Sequence, residues 1–197
     1  MPSTVWSGPV PNLNSASLTV SSFTTATVTD ISPAEVILWP GMLSAGTRVR
    51  LLAHGSYAAT TTASTLTWSF VMNSTATANI TTTPATLAAS QAITAVAVTG
   101  IPWILEYWGR ITSLTAKTVG ATNAQIVGRG RLQTGSAIAT FTQPTTLEQT
   151  LALSTVQQTA TGLVTNIPQT VYVGVSIATN TGLTSVTTDE LTCELLG

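Results

Sequence analysis

The sequence predicts an all-β sandwich, and three observations carry the prediction. About one residue in five is threonine, a β-branched residue that is stiff at χ1 and sits more readily on a pleated surface than in a helix. Short segments alternate apolar and polar residues with period two and are separated by polar turns, while no ten-residue run has a helical period. Charged residues make up only 7% of the chain, against about 25% in an ordinary soluble domain. A surface so poor in charge befits a chain covered by other protein, so the composition describes a building block of an assembly.

Residues 1–20 read as an extended N-terminal arm and residues 21–197 as one β-domain. The arm carries Pro2, Pro9, Pro11, Gly8, Asn12 and Asn14 in a serine-rich setting, a composition that favours extended chain and turns. Trp6 is its natural anchor, either in a neighbour's pocket or folded back on its own domain. From Ser17 onward the chain reads as strands separated by short polar turns, and Gly46 opens a good example: Val49, Leu51 and Ala53 point one way, and Arg48, Arg50, Leu52 and His54 the other. A turn around Gly55 to Ala63 leads into a half-buried strand, where Leu66, Trp68, Phe70 and Met72 alternate with Thr65, Thr67 and Ser69. Weaker strands are expected over Thr77 to Thr83 and Ile93 to Val98.

The segment Ile101 to Leu114 is the richest. Trp103, Leu105, Tyr107, Gly109 and Ile111 share a face assigned to the core, and Ile104, Glu106, Trp108, Arg110 and Thr112 share the opposite one. Gln125 to Leu132 places Arg129 and Arg131 opposite Gly128 and Gly130, whose missing side chains leave room for a bulky neighbour. Val171, Val173, Val175 and Ile177 form another strand, and Leu191, Cys193 and Leu195 the last. Pro144 to Thr165 is less regular and reads as a strand, a long connection or one short helix around Leu147 to Leu153. Eight or more strands with regularly spaced turns point to a sandwich or barrel, for which a jelly roll is the chosen architecture. No 20 to 50-residue repeat is apparent, so a propeller or solenoid is not expected.

Composition also narrows the function. A formal net charge of −1, with six basic residues, gives no field to attract a polyanion, so nucleic-acid binding is not expected. Cys193 is the only cysteine, which rules out an intrachain disulfide. The start Met1-Pro2-Ser3-Thr4-Val5-Trp6 has no basic or apolar region of a secretory signal, and synthesis in a cytoplasm is expected. No stretch reaches the roughly 20 apolar residues of a spanning helix, so no membrane is expected as partner.

Catalytic chemistry is poorly supplied. His54 is the only histidine and lies on the face of Arg48 and Arg50, where positive neighbours make it a worse base. The carboxylates are scattered, with Asp189-Glu190 the only acidic doublet, so neither zinc nor calcium has a ligand set at short spacing. Gly128-Arg129-Gly130 lacks the third glycine and helix start of a dinucleotide loop. No enzyme, metal or cofactor is expected. Two charge groupings remain as candidates. Glu106 and Arg110 flank Trp108 on one strand face, where a guanidinium can pack on the indole. Arg48/Arg50 and Arg129/Arg131 are i, i+2 pairs that each put two guanidiniums on one side of a sheet. They belong either to a solvated sheet face, meeting carboxylates such as Glu106, Glu148, Glu190 and Glu194, or to a subunit or lattice contact, where arginine is enriched. The candidate interface is therefore Trp6, Arg48, Arg50, Trp108, Arg110, Arg129 and Arg131.

A wider resemblance runs through the chain. Ile31-Ser32-Pro33 is followed by an apolar strand into Pro40-Gly41 and by Gly46-Thr47-Arg48-Val49-Arg50-Leu51-Leu52-Ala53-His54-Gly55. Then come Ile101-Pro102-Trp103-Ile104-Leu105-Glu106, Val127-Gly128-Arg129-Gly130-Arg131-Leu132 and a closing Thr188-Asp189-Glu190-Leu191-Thr192-Cys193-Glu194-Leu195-Leu196. This order, over roughly Thr24 to Leu196, resembles tailed-bacteriophage virion proteins with a TNF-like jelly-roll body. The resemblance implies a homotrimer displayed on the outside of a capsid or tail; within it, the reading chosen is a decoration or minor capsid protein bound to the major capsid protein on the outer surface of the shell, and the proline-rich composition of the arm makes the arm the expected lattice-binding element. It implies no catalytic residue. A tail or fibre-associated protein binding a host surface glycan through exposed aromatics is the alternative. A glycan hydrolase would need two facing carboxylates that sequence spacing does not supply.

Overall fold

The computed structural model describes residues 8–9, 16–60, 64–73, 85–90, 92–95, 97, 99–114, 124–135, 146–151, 168–179 and 182–197. Among these residues every regular element is a strand: β1 (Gly8–Pro9), β2 (Leu18–Val20), β3 (Val28–Asp30), β4 (Val36–Leu38), β5 (Arg48–Ala59), β6 (Thr65–Asn73), β7 (Ala85–Ala89), β8 (Ile93–Thr94), β9 (Ile101–Leu114), β10 (Ala124–Gly135), β11 (Thr146–Leu151), β12 (Gln169–Thr179) and β13 (Leu183–Leu196). They form two antiparallel sheets in a sandwich-like arrangement. The larger runs β1-β13-β5-β9-β10-β11, with β2 beside β1 on the same edge of β13. The smaller runs β3-β12-β6-β7, with β4 also on β12 and β8 also on β6.

Alternation decides what lies between the sheets. Along β5, Val49, Leu51, Ala53, Tyr57 and Ala59 are buried, and along β9 so are Ile101, Trp103, Leu105, Tyr107 and Ile111. The smaller sheet meets them with Leu66, Trp68, Phe70, Met72, Val171, Val173, Val175 and Ile177. Trp68 bridges the layers, its ring 5.8 Å from Tyr57 and 6.2 Å from Trp103 in tilted contacts of the kind aromatic quadrupoles favour. The core faces expected for these strands are those observed.

Other expectations are revised. The turn placed at Gly55 to Ala63 begins later, because β5 continues through Gly55 to Ala59. Gly55 is a strand glycine: a Cβ there would run into the Thr187 carbonyl of β13, beside the register shift between Thr188 and Glu190. Close backbone approach at a bulge, and no turn, accounts for it. The strand expected over Ile93 to Val98 is limited to Ile93–Thr94, and that expected over Thr77 to Thr83 lies outside the described residues. Of the three readings of Pro144 to Thr165, strand applies to Thr146–Leu151, paired with β10. The arm segments Gly8–Pro9 and Leu18–Val20 lie along β13, Gly8 opposite Leu195 and Val20 opposite Val186. The sheet they join is therefore the chain's own.

Candidate functional site

Strand register gathers the charges of this sparsely charged chain onto the outer face of the larger sheet. Reading across β13, β5, β9 and β10, one row is Glu194, Arg50, Trp108 and Arg129, and the next is Thr192, Leu52, Glu106 and Arg131. Flanking rows are Leu196, Arg48, Arg110 and Val127 on one side and Glu190, His54, Ile104 and Gln133 on the other. Five of the chain's six basic residues, its single histidine and three of its seven acids thus share one surface. The two i, i+2 arginine pairs, 81 positions apart in sequence, are brought together around Trp108.

Glu106 organises the centre. Its side chain is only 9% exposed, and it accepts a hydrogen bond from Arg131 Nε and faces Arg50 Nη2 at 3.9 Å. Arg50 Nη1 also donates to Glu194 Oε2 at 3.2 Å. For this buried carboxylate, two guanidiniums offset the desolvation that an unpaired charge would incur. Arg131 also lies over the Trp108 ring, 5.9 Å from its centroid. The cation on Trp108 is therefore Arg131 from the adjacent strand, and not Arg110. Residues i and i+2 on one strand are about 6.6 Å apart along the chain, whereas Glu106 holds the Arg131 guanidinium beside the indole.

Arg48, Arg110 and Arg129 are exposed, and none makes an ion pair among the described residues. Arg48 stands directly opposite Arg110, and Arg129 opposite Trp108. Apolar groups are interspersed, with Trp108, Ile104 and Leu196 each more than a third exposed. Trp39, following β4, is 55% exposed. The sequence reading missed it, although Trp39-Pro40-Gly41 carries a turn signal. Trp6 lies outside the described residues, and so does the side chain of Glu148.

The face is underpinned by close packing. Gly109 and Gly128 are cross-strand partners, and a Cβ on either would meet the Tyr107 ring within about 2.6 Å. Tyr107 thus packs over a glycine pair, the accommodation expected at Gly128. Burial pushes the Tyr107 hydroxyl above its ordinary range. It pushes the Cys193 thiol, beneath the same sheet and beside the Glu194 charge, up to about 12.

His54 Nε2 lies 3.2 Å from Glu190 Oε2 on the open sheet surface, the only side-chain hydrogen bond of His54 among the described residues. Among those residues no three His, Cys, Asp or Glu side chains group around a metal position, and no helix is long and apolar enough to cross a membrane. No protein-family model, curated protein or solved structure matches the chain.

Proposed function

We propose that the protein is a virion structural protein, a trimeric decoration or minor capsid protein that binds the outer shell of a tailed bacteriophage and reinforces it. The carrying observation is the outer face of the larger sheet, where arginines, an exposed tryptophan and aliphatic groups are concentrated on a chain otherwise nearly free of charge. Tryptophan and arginine are the residues enriched in protein contacts. Cementing follows from multiplicity: a trimer that engages several shell subunits at once turns weak contacts into a strong one through effective concentration.

A jelly-roll body fits the order of strand pairing. The first strands (β1, β2) pair with the last (β13), β3 and β4 with β12, β5 with β9, and β6 with β7, a nested series such as two Greek keys produce. On this reading β10 and β11 are an added hairpin that widens the larger sheet. Since Gly8–Pro9 and Leu18–Val20 are already engaged with β13, the sheet face is a better contact surface than the backbone of these arm segments. The glycan-binding alternative needs exposed aromatics side by side in an open platform, whereas Trp108 carries Arg131 over its ring and the exposed Trp39 follows β4 of the smaller sheet.

Size exclusion with light scattering tests the assembly claim. A trimer weighs about 61 kDa, three times the chain's 20.3 kDa, and is the expected species at micromolar concentration. A 20.3 kDa monomer would refute the trimeric reading.

A further inference from the structure

We infer that the cluster of Arg48, Arg110 and Arg129 docks a carboxylate-rich stretch of a partner protein; this rests on the reading of the larger sheet's outer face as a contact surface. The other arginines among the described residues, and the histidine, each have a carboxylate partner. Arg50 holds Glu194 and Glu106, Arg131 holds Glu106, and His54 meets Glu190. The three remaining arginines are exposed and adjacent, two of them directly opposed on neighbouring strands. Like charges facing each other across a sheet destabilise it. A chain with only 13 charged residues that places three arginines side by side, with no ion-pair partner among the described residues, forms a surface complementary to anions.

The occupant is a second protein with carboxylates rather than a second copy of this chain. Among the described acids, Glu106, Glu190 and Glu194 are already engaged, and Asp30 accepts a hydrogen bond from the Ser32 N–H. Glu35 and Asp189 are left, one on the approach to β4 of the smaller sheet and the other in β13 of the larger, so they cannot present an array matching three arginines. The surroundings also favour protein: Trp108 lies opposite Arg129 and Leu196 opposite Arg48, so exposed apolar groups border these guanidiniums, the mixture found in protein contacts. Guanidinium forks recognise carboxylates in bidentate fashion, which an ammonium cannot reproduce.

The test uses the full chain, a fluorescein-labelled octaglutamate peptide as probe, and anisotropy at low and physiological salt. Two triple variants are compared with the parent, R48Q/R110Q/R129Q and R48K/R110K/R129K. All three positions are exposed, so melting temperatures at or above that of the parent will show that the variants fold. The parent is expected to bind the peptide, more weakly as salt rises, with affinity reduced at least tenfold by the glutamine triple and severalfold by the lysine triple. Absent binding, equal binding by the glutamine triple, or equal binding by the lysine triple would overturn the inference. So would heparin or a single-stranded oligonucleotide binding the parent more tightly than octaglutamate, since the site would then serve sulfated glycans or nucleic acid. Such a failure, together with a trimer by light scattering, would leave the building-block reading standing and move its contact elsewhere.

Discussion

Substituting Glu106 with glutamine tests whether the charged face is organised as described. The side chain is 9% exposed, while those of its partners Arg50 and Arg131 are each 40% exposed. Breaking a fully buried ion pair costs about 3–5 kcal/mol, because the surviving charge is left uncompensated. Here water reaches both guanidiniums and Arg50 keeps Glu194, so the cost falls to about 2 kcal/mol after solvent screening. For a chain of this size that lowers the melting temperature by about 4–8 °C. Glu194→Gln is the internal comparison: its carboxylate is 42% exposed, and its loss should cost under about 1 kcal/mol. Thermal unfolding of both variants, followed by circular dichroism, measures the difference. If Glu106→Gln melts with the parent, or if Glu194→Gln loses as much, Glu106 does not organise the face.

Three further outcomes follow from the core and its margins. Trp103→Ala should lower stability by about 3–5 kcal/mol or prevent expression; Trp103→Phe should be far milder, because the Trp103 indole N–H has no hydrogen-bond partner to lose, and equal melting of all three proteins would mean Trp103 is not in the core. Cys193, buried and with its thiol pushed up to about 12, leaves about one molecule in ten thousand as thiolate at pH 8, so a thiol reagent should label it only after unfolding; rapid labelling of the native protein would contradict its burial. Burial raises the Asp30 carboxyl above 3.8 despite hydrogen bonds from Ser32, with the Glu35 charge adding to the rise. The folded state therefore holds the proton more tightly than the unfolded state, and stability from this group, full below 3.8, is lost as pH climbs through the raised value. Asp30→Asn keeps an acceptor for the Ser32 N–H and should melt higher than the parent at pH 7, the gap closing at acid pH; a lower melting temperature at pH 7 would reverse the sign.

Local alternation was legible in the sequence, and long-range register was not. The inward faces of β5, β6, β9, β12 and β13 followed from period-two patterning, because one buried face fixes which residues point inward. Gly128 was rightly read as room for a bulky group, although the Tyr107 that fills it could be identified only from the structure. Gly55 was misplaced because a glycine at a turn and one under a close backbone look alike in sequence. The arginine pairs were visible as pairs, but their meeting around Trp108 depends on β5 and β10 both flanking β9. For the same reason Arg131, and not the nearer-in-sequence Arg110, lies on the indole. Glu194 and Leu196 joined the face only through the pairing of β13 with β5.

The claim that this chain is a shell component is tested most directly by its copy number in purified particles, counted by quantitative mass spectrometry against the major capsid protein. A decoration or minor capsid protein that binds across the shell in trimers should be present in hundreds of copies, in a fixed ratio to the shell subunits. A handful of copies per particle would assign it to the tail, and its absence from purified particles would contradict the account.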